Sequence, residues 1–162
     1  SSSGPIFFKQ LRSGINNKDF YCYKFRTMRI NELSNELQAT KEDPRITRIG
    51  SILRKTNIDE FPQFLNVFMG DMSIVGPRPH MLKHTDEYSK LVDSYMVRQL
   101  VKPGITGPAQ VYGFRGETKT TAEMEGRVEL DIWYIENWSI LLDVKMIMLT
   151  VWNMIRGEEK AY

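Results

Sequence analysis

The chain has 162 residues, 41% of them hydrophobic and 26% charged, which suits one domain with an adequate core and excludes a disordered segment or a polytopic membrane protein. The formal net charge is only +2 and no nucleic-acid recognition motif is present, so nucleic-acid binding has little support. Cys22 is the sole cysteine, which rules out an internal disulfide and fits a reducing compartment.

The charge is unevenly spread. Lys9, Arg12, Lys18, Lys24, Arg26 and Arg29 stand between Ser1 and Ile30 against Asp19 alone. Such a patch fits an anionic partner or, equally, a solvated basic face. Ile6–Gln10 and Phe20–Thr27 are aromatic and β-branched runs flanking the turn chemistry of Ser13-Gly14-Ile15-Asn16-Asn17, which predicts a β-hairpin. Within the second strand Tyr21, Tyr23 and Phe25 share one face. Lys24 and Arg26 share the other, about 7 Å apart, a spacing that straddles a diphosphate.

Asn31–Ala39 reads as a short polar helix broken at Asp43-Pro44, and Ile49–Lys55 as a second helical run. Thr56 or Asn57 then caps a helix with Asp59 and Glu60 in its first turn, where the macrodipole favours carboxylates. Pro62 is tolerable only this close to a helix start. Phe61, Phe64, Leu65 and Phe68 form an apolar stripe, and Gly70 ends the helix. Ser73–Val75 is a short strand, and Arg78 follows, held extended by Pro79.

Thr85–Val101 carries Tyr88, Leu91, Val92, Tyr95 and Met96 at helical spacing and predicts one amphipathic helix. Lys102–Gly107 and Gly113–Gly116 read as loops. Thr120 and Glu123 form a capping box for a helix reaching about Asn137. The last helix, Ser139–Ile155, is apolar nearly all round toward its C-terminal half but too short and interrupted to span a bilayer. It is either buried or lies in a membrane interface, and Trp133, Trp138 and Trp152 all fall in this final part.

The chemistry centres on Asp59 and Glu60. An acidic doublet at a helix start is ordinarily dipole-complementing, but cations gather around this one: Lys24, Arg26, Arg45, Arg48, Arg54 and Arg78. Carboxylates in a basic setting stay ionised, as a nucleophile or Mg²⁺ ligand must. The pattern fits phosphoryl transfer on a nucleoside diphosphate compound. Neither a P-loop nor a Rossmann glycine motif is present, and His80 and His84 lack the partners of a zinc site. Asp71 is a further oxygen ligand or an ordinary turn aspartate. Arg115, between glycines, meets substrate or is simply solvated.

These residues resemble the bacterial sugar transferases, the monotopic phosphoglycosyl transferases that start cell-surface polysaccharides. The matching blocks run in order: GPIFFKQ from Gly4, KFRTM from Lys24, DPRITRIG from Asp43, IDEFPQFLNVFMGDMSIVGPRP from Ile58, KPGITG from Lys102 and LDIWYIENWSILLDVK from Leu130. The resemblance implies transfer of a sugar 1-phosphate from a UDP-sugar to a polyprenyl phosphate, with Mg²⁺ and an aspartyl-phosphosugar intermediate. By position it makes Asp59 the nucleophile, Glu60 its Mg²⁺-associated partner, Arg54 a dyad neighbour, and Lys24, Arg26 and Arg78 phosphate-side cations. GFRGET at Gly113 looks most like members that transfer glucose 1-phosphate to undecaprenyl phosphate for exopolysaccharide or capsule synthesis.

The implied fold is α+β, mainly helical with the small N-terminal hairpin, as a single catalytic domain spanning 1–162. The implied place is the cytoplasmic face of the bacterial inner membrane. Family members carry a preceding hydrophobic segment that is not found before Ser1, so the chain reads as the catalytic portion of a larger protein. Pro108 departs from the tryptophan common at that position. With the resemblance in view the last helix becomes an interfacial element, and its exposed apolar residues favour self-association into a homo-oligomer. A non-catalytic module that binds anionic membrane through the basic hairpin is the competing reading.

Overall fold

A computed structural model describes residues 2–30, 40, 43–114 and 120–156. The polar helix expected over Asn31–Ala39, and Arg115, lie outside the described residues. The chain opens with an antiparallel hairpin of β1 (Phe7–Ser13) and β2 (Asp19–Phe25), with Phe7 opposite Phe25 and Ser13 opposite Asp19. Asn16 and Asn17 take positive φ in the connecting turn, a backbone region asparagine tolerates better than most residues. There follow α1 (Arg48–Lys55), a 3₁₀ turn at Ile58–Glu60, α2 (Gln63–Met69), β3 (Ser73–Val75) and α3 (Leu82–Leu91). A 3₁₀ segment at Tyr95–Leu100, β4 (Gly104–Thr106), α4 (Pro108–Val111), α5 (Thr121–Glu136) and α6 (Ile140–Arg156) complete it. The architecture is mixed helix and strand, about half helical.

Two expectations change. The single helix expected over Thr85–Val101 is broken: Val92 is extended, Ser94 has φ of 61°, and Tyr95 begins the 3₁₀ segment. On either side of the break Val92 and Tyr95 both pack into a core cluster with Met124 and Val128 of α5. The second change is at KPGITG, expected as loop, where Gly104–Thr106 forms a strand parallel to β3. The glycines make this pairing possible, because a Cβ on Gly104 would stand 2.1 Å from the Gly76 nitrogen. Pro108 fits its departure from the family pattern, sitting at the first turn of α4 where its missing N–H is harmless.

The elements nearest the site are amphipathic in an inverted sense. On α2, Phe64, Leu65 and Phe68 face outward, as does Phe61 just before it, with Phe68 92% exposed, while Gln63 and Asn66 are buried. On the hairpin, Phe7, Leu11 and Tyr21 are exposed, whereas Gln10, Phe20 and Cys22 point inward with Lys24 on their face. Asn66 explains how a polar helix face packs on a strand. Its Oδ1 accepts from the Tyr23 N–H at 3.0 Å and its Nδ2 donates to the Tyr21 carbonyl at 2.7 Å, so the side chain completes the hydrogen bonding of β2 as a neighbouring strand would. The last helix differs from the buried alternative. Only Met146 of α6 is buried, and Leu141, Met148, Trp152 and Ile155 are exposed. No helix among the described residues is long and apolar enough to cross a membrane.

Asn66→Ala leaves a buried strand donor and acceptor unpaired, and should lower stability by about 3 kcal/mol in urea unfolding of this chain.

Candidate active site

Asn57, with φ of 57°, turns the chain out of α1, and Asp59 and Glu60 sit on the 3₁₀ turn that follows rather than in the first turn of α2. Phe61 and Pro62 keep right-handed helical angles, so the turn runs on into α2. Asp59, Glu60, Gln63 and Asn66 therefore fall on one polar stripe, and all four are buried. Neither Thr56 nor Asn57 caps this turn; the Thr56 hydroxyl instead donates back to the Ile52 carbonyl at 2.9 Å.

Glu60 is the electrostatic junction. Its Oε1 accepts from Lys24 Nζ of β2 at 2.6 Å and from Arg78 Nη2 at 2.6 Å, while Oε2 accepts from Arg78 Nη1 at 3.3 Å. The segment bearing Arg78 is fixed on both sides of β3's end: Gly76 N–H donates to the Thr106 carbonyl at 2.9 Å and Gly104 N–H to the Pro77 carbonyl at 2.9 Å. Glu60 holds the Arg78 guanidinium firmly protonated, outweighing its burial.

Asp59 is different. Among the described residues nothing hydrogen-bonds its carboxylate. Burial pushes its pKa up and Glu60 adds to that, while Lys24, Arg54 and Arg78 pull the other way. A nearly buried carboxylate ringed by cations has the character that a nucleophile or a metal ligand requires. Gln63 stands four residues on and its Oε1 is buried without a partner. Together Asp59 and Gln63 offer hard oxygen donors of the kind Mg²⁺ takes alongside substrate phosphates. Both Glu60 oxygens already accept from cations. Asp71 behaves as a turn aspartate, accepting from Asn66 Nδ2 at 3.4 Å. Among the described residues no group of three or more His, Cys, Asp or Glu side chains could hold a metal.

The structure thus gathers Lys24, Arg54, Asp59, Glu60 and Arg78. Arg26 turns the other way: its Nε donates to the Pro5 carbonyl at 2.7 Å and its Nη2 to the Ser2 carbonyl at 3.0 Å, tying down the N-terminal segment. Arg45 pairs with Asp43 at 2.5 Å, and Arg48 is exposed at the start of α1. Arg12, read from the sequence only as part of the basic N-terminal patch, also belongs near this site. It lies half-buried close enough to Arg78 and Glu60 to feel both, and burial first, then Arg78, lower its pKa to about 10. The hairpin register carries the missing signal, since Arg12 pairs with Phe20 and shares the inward face with Cys22 and Lys24.

A carboxylate dyad, converging cations and a parallel strand pair that fixes Arg78 make an arrangement with the chemical means to bind and polarise phosphate groups. The chain belongs to the bacterial sugar transferase family, whose model matches residues 1–157. It is 51% identical, over 94% of its length, to the UDP-glucose:undecaprenyl-phosphate glucose-1-phosphate transferase of Escherichia coli (strain K12), of which it covers 33%. It is also 51% identical, over 100% of its length, to the enzyme of that name from Xanthomonas campestris pv. campestris, covering 34% of it. A relative from Aeromonas hydrophila, a UDP-N-acetylgalactosamine-undecaprenyl-phosphate N-acetylgalactosaminephosphotransferase, is 41% identical over 96% of this chain and 37% of its own length. The chain spans about a third of the length of these relatives.

The Arg45 hydrogen bonds hold the Asp43 carboxyl down to about 2. Their stabilising contribution is complete above the ordinary carboxylate pKa of about 3.9 and is lost as pH falls through about 2. Asp43→Asn should flatten the decline of urea midpoint between pH 4 and pH 2, roughly the interval between those two values.

Proposed function

We propose that this chain transfers glucose 1-phosphate from UDP-glucose to undecaprenyl phosphate, releasing UMP, in the first membrane step of exopolysaccharide or capsule synthesis. The observation that carries the reading is Asp59: a nearly buried carboxylate without a hydrogen-bond partner among the described residues, beside a Glu60 already neutralised by Lys24 and Arg78. In the first step an Asp59 oxygen bonds to the sugar-bearing phosphorus and the phosphoanhydride bond breaks, with its electron pair leaving on UMP. In the second an oxygen of undecaprenyl phosphate attacks that phosphorus, and Asp59 departs as a carboxylate. Lys24 and Arg78 stabilise charge on the transferring phosphoryl group, while Arg54 favours the ionised form of Asp59.

Mg²⁺ is proposed to neutralise the diphosphate, and Asp59 and Gln63 Oε1 are the residues that would hold it, with Glu60 tied into the surrounding cations. Two relatives at 51% identity name UDP-glucose and the one at 41% names an N-acetylgalactosamine donor, which supports glucose as the sugar.

A soluble diphosphate sugar and a lipid phosphate must meet at one site, which calls for a membrane surface, and the proposed one is the cytoplasmic face of the bacterial inner membrane. The outward Phe61, Phe64, Leu65 and Phe68 of the dyad's own helix, with exposed Ile49 and Ile52 of α1, form the apolar surface that would rest in the lipid interface. The alternative, a non-catalytic module using the basic hairpin, is less well supported because Lys24 is turned inward to Glu60.

In the intact protein, Asp59→Asn should reduce UMP release from UDP-glucose by about 10³-fold or more and abolish a labelled phosphosugar trapped on the protein without acceptor. Normal turnover in that variant would sink the covalent route. Phe64→Glu with Phe68→Glu should weaken co-sedimentation with phosphatidylethanolamine–phosphatidylglycerol vesicles by about tenfold or more, since each buried phenylalanine is worth roughly 1.5–3 kcal/mol.

A further inference from the structure

Arg78 is held from behind as well as in front. Arg98, on the Tyr95–Leu100 segment, is buried, and its Nη2 donates to the Arg78 carbonyl at 2.9 Å. The same Nη2 and the Nε donate to Asp131 Oδ2 of α5 at 2.6 Å and 3.1 Å. Nη1 faces His80 Nδ1, a ring that burial, Arg98 and Arg127 keep neutral and thus able to accept. One guanidinium therefore joins α5, the stretch just after Arg78 and the main chain of Arg78 itself.

A pair retained for stability alone would be an odd choice here. Buried ion pairs are often replaceable by apolar residues at no loss, and Asp131 Oδ1 is buried with no hydrogen-bond partner among the described residues. What the arrangement does provide is direction. The peptide carbonyl of Arg78 is pulled toward Arg98, while its guanidinium points to Glu60, and the planar fork of Arg98 supplies this geometry where a single ammonium would not.

We propose that Arg98 and Asp131 are positioning residues for Arg78, setting the direction in which its guanidinium meets Glu60 and the transferring phosphoryl group. Neither touches the reacting atoms. The catalytic half of this inference rests on the proposed function, whereas the positioning half concerns this chain alone.

The test separates the two. In the ¹⁵N-labelled chain, the Arg78 side-chain Nε–Hε signal, identified by its loss in Arg78→Lys, should be a single sharp peak in the wild type. In Arg98→Lys, which keeps a cation opposite Asp131, and in Asp131→Asn, which keeps the shape, that signal should shift or broaden. An unchanged Arg78 signal in both folded variants would overturn the positioning role whatever the turnover. In the intact protein Arg98→Lys should lower kcat for UMP release by about tenfold while KM for UDP-glucose stays within about threefold, as expected when a group is misdirected rather than removed. A shifted Arg78 signal with unchanged kcat would overturn the link to chemistry. A wild type that releases no UMP would sink the proposed function and leave the spectral result to decide the positioning.

Discussion

The shared carboxylate of Glu60 is the constraint from which the site follows. Lys24 comes from the hairpin and Arg78 from the end of the parallel strand pair, and both reach Oε1 at 2.6 Å. Buried charges of this kind are costly alone, and removing one partner of such a set typically costs about 3–5 kcal/mol. The hairpin, the 3₁₀ turn and the strand pair thus depend on one another for charge balance. Because Glu60 engages Lys24 and Arg78, its neighbour Asp59 has no hydrogen-bond partner among the described residues. One carboxylate organises the site, and the adjacent one is the proposed nucleophile.

That arrangement demands an interior with polar groups, and the fold supplies it by inverting its amphipathic elements. The dyad's helix turns Gln63 and Asn66 inward and its phenylalanines outward, and the hairpin turns Gln10, Arg12 and Lys24 inward while Phe7 and Tyr21 stay exposed. Behind them lies a second polar layer of His80, Tyr95, Arg98, Arg127 and Asp131. Apolar packing is displaced to small clusters, such as that of Val92, Tyr95, Met124 and Val128. An apolar surface around a polar centre agrees with the lipid-facing surface proposed for this protein.

Much of the chain was legible from local chemistry. The Asn-rich turn between aromatic runs, the Gly70 helix end and the Thr120 cap, whose hydroxyl accepts from Glu123 N–H at 3.2 Å, each declare themselves within a few residues. The breaks were not legible. Tyr88, Leu91, Val92, Tyr95 and Met96 obey helical spacing, yet Val92 is extended and Ser94 takes positive φ, and neither residue carries a local signal that announces the break. KPGITG looks like a loop until β3 lies beside it, since a strand of three residues has no periodicity to read.

The sequence by itself determined the chemistry available: an acidic doublet, a set of cations and an ordered run of blocks whose resemblance named the family. It also determined where the short helices and turns begin and end, because caps, glycines and prolines act over a few residues. Only the tertiary structure decided which cations serve the doublet. Lys24 and Arg78 reach Glu60, Arg26 and Arg45 are bound to neighbours, and Arg12 joins from the basic patch, in which nothing local set it apart. Only packing, too, decided that the helix carrying the doublet faces inward with its polar side. Spacing reveals that a helix has two faces, but what lies opposite each face depends on residues far away in sequence, here the Asn66 bonds to β2.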